Sequence, residues 1–146
     1  MYRLSIIAAL MFGVFCGVSY ANEEGKFSAV KMKINDVPVS VEWEENESVK
    51  ALTENLPITV KTHMYGGFEQ VGSLGRSLPG NDKRIATKPG DIVLYSGNQI
   101  VIFYGSNTWA YTKLGRITGK TQSELEDLLG KSDTLLVEIF TADAKF

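Results

Sequence analysis

Polar and apolar residues alternate along most of this chain, and the alternation breaks at only a few places. In "FSAVKMKI" Val30, Met32 and Ile34 share one side while Lys31 and Lys33 take the other, which predicts a half-buried strand. Asn35 and Asp36 both tolerate a left-handed backbone, and "VPVSVEW" then aligns Val37, Val39, Val41 and Trp43, so the two runs form a hairpin. "NESVKALTENLP" changes the period. Val49, Leu52 and Leu56 recur at helical spacing, Asn46 is placed to cap the first turn, and Pro57 stops the helix. Alternation returns in "ITVKTHMY", with Ile58, Val60, Thr62 and Met64 facing one way and Thr59, Lys61, His63 and Tyr65 the other.

Gly66 and Gly67 interrupt this strand, and Phe68 to Leu74 reads as a fourth. From there to Gly90 the chain is rich in Gly, Ser, Pro and Asn and shows no period, so it is expected to be a loop carrying the rim of any binding site. "KPGDIVLYSGNQIVIFYG" is a turn, an apolar run, a two-residue turn at Gly97-Asn98 and a second apolar run. Runs this apolar predict strands buried on both faces, by a barrel interior and a covering helix. "WAYTKLGRI" is a further strand. A helix follows in "TGKTQSELEDLLG", where Thr121 and Glu124 have capping-box spacing, and "TLLVEIF" closes the pattern. The elements amount to roughly eight strands and two isolated helices, too few helices to interleave a parallel sheet. The expected fold is mainly β: a closed antiparallel eight-stranded barrel capped by two helices.

Residues 1–21 differ from everything after them. Arg3 precedes an uninterrupted apolar stretch from Leu4 to Val18, and Ser19, Tyr20 and Ala21 provide a small-x-small end. This is the layout of a secretory signal peptide, and the apolar stretch is shorter than the roughly 20 residues a membrane span needs. Residues 22–146 are then one barrel domain, and the expected location is the periplasm or the exterior. Cys16 lies in the leader, so the remaining chain has neither a disulfide nor a thiolate nucleophile. A formal net charge of −2 over 146 residues provides no footprint for nucleic acid. With one histidine, His63, and scattered carboxylates, no metal site is expected, and no cofactor. No Ser-His-carboxylate arrangement is recognisable. Asn46-Glu47-Ser48 matches a glycosylation acceptor, but capping gives Asn46 a different role.

The ordered set "VKMKINDVPVSVEW", "VKALTENLP", "KPGDIVLY", "NQIVIFYG", "LGRI" and "LLVEIF" resembles the cyclophilin fold, most closely the divergent bacterial cyclophilin-like proteins. The resemblance runs from about Val30 to Phe140 and implies a groove on the barrel. Cyclophilins rotate X-Pro bonds, holding the proline ring in an apolar pocket while an arginine favours the pyramidal nitrogen. In the family that arginine belongs to a Phe-His-Arg run followed by Pro-Gly-Phe and a glutamine. In "KTHMYGGFEQVG", alignment on Gly67-Phe68 puts His63 at the arginine, Gly66 at the proline and Val71 at the glutamine, with Gln70 one residue short of it. The family's Ser-Gln-Phe-Phe run aligns with "NQIVIF", so Gln99 and Val101 take groove positions, and Trp109 falls near a pocket tryptophan.

The resemblance therefore implies a ligand-binding set of His63, Phe68, Gln70, Gln99, Val101 and Trp109, with no residue assigned to catalysis. A neutral imidazole is a weaker donor than a guanidinium. The preferred reading is an exported, non-catalytic binding domain for a peptide segment or small molecule, with no nucleic-acid partner, no membrane association after leader removal, and the oligomeric state left open. The alternative is a weak periplasmic peptidyl-prolyl cis-trans isomerase, for which Arg76 or Arg84 would have to reach the groove from the loop.

Overall fold

A computed structural model describes residues 26–142. The leader peptide expected at residues 1–21 lies outside the described residues. Nine strands and two helices follow in chain order: β1 (Val30–Ile34), β2 (Val37–Trp43), α1 (Glu47–Thr53), β3 (Ile58–Tyr65), β4 (Glu69–Ser73), β5 (Lys83–Ala86), β6 (Asp91–Tyr95), β7 (Gln99–Phe103), β8 (Thr108–Thr118), α2 (Gln122–Leu129) and β9 (Thr134–Thr141). The strand order is β2-β1-β9-β3-β4-β7-β6-β8, and pairing of β2 with β8 closes it into an antiparallel barrel of eight strands. Closure leaves β5 as the extra strand, attached to the first half of β8.

The alternation read from the sequence sets the barrel interior. Met32, Ile34, Val60, Ile92, Leu94, Ile100, Ile102, Leu114, Val137 and Ile139 are almost fully buried and form one cluster. The helices contribute Val49 and Leu52 from α1 and Leu125 and Leu129 from α2 to the same cluster. Burying each large aliphatic side chain stabilises the fold by about 1.5–3 kcal/mol. Capping fixes where the helices start. Asn46 Oδ1 accepts from the Val49 amide at 2.9 Å while its Nδ2 donates to the Lys113 carbonyl at 2.8 Å, so this one side chain also pins α1 to β8. Thr121 and Glu124 form a complete capping box on α2.

Three expectations need correcting. The stretch from 74 to 90 is not wholly irregular: Lys83–Ala86 form β5, a segment whose four residues are too few to show a period. β6 and β7 are buried on both faces, but the outer cover is a cluster of aromatic side chains and β5 rather than a helix. The β6–β7 turn centres on Ser96 and Gly97, at φ 53° and 75°, and not on Gly97-Asn98. A tight hairpin turn needs two successive positive φ values, and here a serine accepts the first. The same turn anchors the loop before β5, since Leu74 and Leu78 donate their amides to the carbonyls of Asn98 and Gly97.

Candidate functional site

The outer face of the sheet β3-β4-β7-β6-β8 carries a groove of about 430 Å³. Strand register explains which side chains reach it. His63, Val71, Val101 and Val93 are successive cross-strand partners, as are Tyr65, Glu69 and Phe103, so these two rows share the outer face. On β8 a bulge opposite Ile92 and Val93 shifts the register. Uninterrupted alternation from the inward-facing Ile117 would turn Tyr111 into the barrel. The bulge instead leaves Leu114 in the core and presents Tyr111 and Trp109 to the groove.

The groove floor is a second apolar cluster, separate from the barrel interior, of Val93, Val101, Phe103 and Tyr111 with Phe68, Val71, Ile85 and Tyr95 packed around them. Phe68 stacks on Phe103 with ring centroids 6.5 Å apart, and Tyr111 meets both Phe103 and Tyr95 edge-on at 5.6 and 6.0 Å. Gly105 permits the close approach that seats Phe68: a Cβ there would come within 2.7 Å of the Phe68 Cβ. The Phe68 carbonyl accepts from the amides of both Tyr104 and Gly105, which fixes the start of β4. Exposed aromatics stand at either side, Tyr65 at 66% exposure on β3 and Trp109 at 53% on β8. Asn107 Nδ2 donates to the Tyr111 hydroxyl at 2.9 Å, which leaves the phenolic hydrogen available to a ligand.

Of the six residues implied by resemblance, Gln99, Val101 and Trp109 line the groove and Phe68 lies in its floor. Gln70 does not line it. Strand parity sends it into the barrel, where it is fully buried: its Oε1 accepts from Thr62 Oγ1 at 2.9 Å, and its Nε2 donates to the carbonyls of Leu129 and Ser132 at 2.8 and 3.0 Å. His63 shares the outer face but stands beyond the groove wall, its Nδ1 3.2 Å from Thr134 Oγ1 and 3.9 Å from an Asp133 carboxylate oxygen. Neither arginine lines the groove. Arg76 hydrogen-bonds Asn55 at the end of α1, and Arg84, paired with Ala110, alternates away from the face that carries Trp109. The 74–90 segment contributes no lining residue to this groove either; Ile85 packs beneath it.

Sequence reasoning missed Glu69. It lines the groove beside Val71, and among the described residues it is the only carboxylate there and no Lys, Arg or His lines the groove. Burial raises its pKa above the ordinary 4.5, and its Oε2 is out of contact with water and has no hydrogen-bond partner among the described residues. The Tyr104 hydroxyl is the other such atom, and burial followed by the Glu69 charge pushes that phenol up as well. Parity was the available signal: once Val71 is placed opposite Val101, Glu69, two residues earlier, must face the same way. Tyr65, Tyr95, Tyr111 and Asn107 complete the lining.

A second cleft, about 690 Å³, lies between α1 and the loop before β5. Its polar groups largely satisfy one another. Ser48 donates to the Pro79 carbonyl, the Asn81 amide donates to Thr112 Oγ1, and Thr112 donates to Asp82. The aromatic groove is the better candidate because it holds a carboxylate oxygen, Glu69 Oε2, without a partner among the described residues.

A closed eight-stranded barrel with two helices and an outer-face groove defines a cyclophilin-type architecture. The sequence matches the Cyclophilin-like family over residues 32–139, and the chain belongs to that family. Among solved structures it is similar to the hypothetical protein AF2241 from Archaeoglobus fulgidus, at 20% identity and TM-score 0.58, covering 81% of this chain and 99% of that one. It is also similar to McbB, solved in complex with tryptophan, at 10% identity and TM-score 0.59. That match covers 80% of this chain, which spans only 46% of McbB. At these identities the likeness concerns the fold. No curated protein sequence matches.

Proposed function

We propose that this protein is an exported, non-catalytic binding domain whose outer groove accepts a peptide segment or a small molecule. The observation that carries this reading is the charge inside the groove: among the described residues its one carboxylate is Glu69 and no cation lines it. Turning an X-Pro bond means crossing a barrier of roughly 18–20 kcal/mol, and help comes from a donor aimed at the nitrogen as resonance breaks. An ionised carboxylate only accepts hydrogen bonds. Arg76, Arg84 and His63, the candidates to replace the family's guanidinium, all point elsewhere. What remains is a concave, largely aromatic surface with a few polar groups, the composition of a binding site.

The test is titration of the protein with proline-containing peptides and small metabolites, tryptophan among them, followed by amide chemical shifts. Changes clustered on Glu69 to Val71, Gln99 to Val101 and Asn107 to Tyr111 are expected; their absence across the set would count against a binding groove. Exchange rates of an X-Pro peptide should be unchanged by the protein, and measurable acceleration would overturn the non-catalytic assignment. Export rests on the leader-like residues 1–21, and mass spectrometry of the secreted or periplasmic product should find an N-terminus at Asn22.

A further inference from the structure

We infer that the groove is selective for an organic cation, an alkylammonium group offered by a free amine or by a lysine side chain. This rests on the binding role just proposed and specifies the chemistry of the occupant. A carboxylate oxygen out of water and without a donor is costly to keep, more so than an unpaired hydroxyl. Glu69 Oε2 is in that position, and it belongs to a side chain that opens onto the groove. Among the described residues no Lys, Arg or His lines the groove, so none of them supplies a counter-charge there. A ligand that brings a positive charge or a donor would supply the missing partner.

The walls select which kind. Tyr65, Tyr95, Trp109 and Tyr111 line the same groove as the carboxylate, and Trp109 and Tyr65 are exposed enough to receive a ligand. Aromatic faces attract cations, most strongly when both are desolvated, and the indole is the best of them. A doubly charged metal ion would want several oxygen ligands, whereas one carboxylate among phenols and an indole suits a bulky monovalent cation with apolar substituents. The Tyr111 hydroxyl, already accepting from Asn107, keeps a proton for a polar group attached to that cation. The apolar floor of Val71 and Val101 takes the alkyl part.

The experiment compares cations with uncharged molecules of the same shape, reading Trp109 fluorescence and amide shifts in the groove. Choline is paired with 3,3-dimethylbutan-1-ol, and a blocked lysine peptide with the same peptide carrying norleucine. Each cation should bind about tenfold or more tightly than its neutral partner. Glu69→Gln, nearly identical in shape, should abolish that preference, and Trp109→Leu should weaken the cations while leaving the neutral molecules alone. Preference for choline marks a free small-molecule ammonium ion as occupant, and preference for the lysine peptide a protein side chain; either supports the inference. Equal binding of cation and neutral partner would overturn cation selectivity while the binding role stands. No response to any probe would overturn the inference, and if the peptide and metabolite titrations are also silent, the binding role falls with it.

Discussion

Glu69 and Gln70 are consecutive on β4, yet they show how differently the two faces of this barrel treat a polar side chain. Gln70 points inward, is completely buried, and uses its carbonyl and both amide hydrogens on Thr62, Leu129 and Ser132. Those bonds tie β3 and β4 to the end of α2 and the turn into β9. Glu69 points outward into the aromatic groove and leaves one oxygen without a partner among the described residues. The inward amide is structural and satisfied within the chain. The outward carboxylate keeps an unsatisfied oxygen, and proteins retain such groups where a ligand completes them.

The largest effect should come from breaking the inner half of this pair. Gln70→Leu keeps the volume but strands the Leu129 and Ser132 carbonyls and deprives Thr62 of an acceptor, and each unpaired buried group costs about 1–3 kcal/mol. A net loss of about 2–4 kcal/mol in denaturant unfolding is expected, since Thr62 retains a longer contact to the Leu135 carbonyl. A loss below about 0.5 kcal/mol, the level of a neutral surface change, would show that the network does not hold the α2–β9 junction.

Sequence made the inner face readable and the outer face only partly so. Alternation assigns Val60, Thr62, Val137 and Ile139 to the interior because a strand's side chains have a strict period of two. The groove depends on relations that no single run contains: the pairing of β4 with β7, the bulge on β8 that turns Tyr111 outward, and the pairing of β5 with β8. Of the residues named by resemblance, Gln99, Val101 and Trp109 line the groove, and their positions follow the order of elements. Gln70, one residue short of the family's glutamine, points into the barrel, because in a strand one residue is a change of face. His63 shares the outer face by parity, but the groove wall stops short of it.

The outer half of the pair should respond to pH. Burial raises the Glu69 carboxyl above its ordinary 4.5, so the unfolded chain releases this proton before the folded protein does. The stability associated with a protonated Glu69 is complete below the unfolded value and is lost as pH rises through the folded one. No side chain facing Glu69 reverses that sign: Tyr65 from β3, Tyr95 from β6 and Tyr111 from β8 line the groove with it, Tyr104 directly follows the adjoining strand β7, and all are phenols. Glu69→Gln should therefore raise the melting temperature at pH 7 by a few degrees, with the gain shrinking as pH falls through the raised folded value and gone below the ordinary carboxylate value of about 4.3. A gain that is the same at every pH would assign the effect to something other than ionisation.

The smallest effect tests where the groove ends. His63 occupies the position aligned with the family's arginine, shares a face with Val71 and Val101, and yet turns its ring toward Thr134 and Asp133 on an exposed surface. Contacts between exposed groups contribute about 0–1 kcal/mol, so His63→Ala should shift unfolding by no more than about 0.5 kcal/mol. Ligand affinity in the groove should be unchanged, because the wall passes through Tyr65 and Val71 and not through the imidazole. Introducing His63→Arg goes further: the scaffold keeps its barrel and its Gln99, and the variant restores the family's residue at the aligned position. If the variant still leaves X-Pro exchange unaltered, the obstacle is the geometry of that position, whose side chain faces Thr134 rather than the groove. If exchange accelerates, a guanidinium is long enough to reach over Val71, and the boundary between groove and rim lies farther out than the histidine indicates.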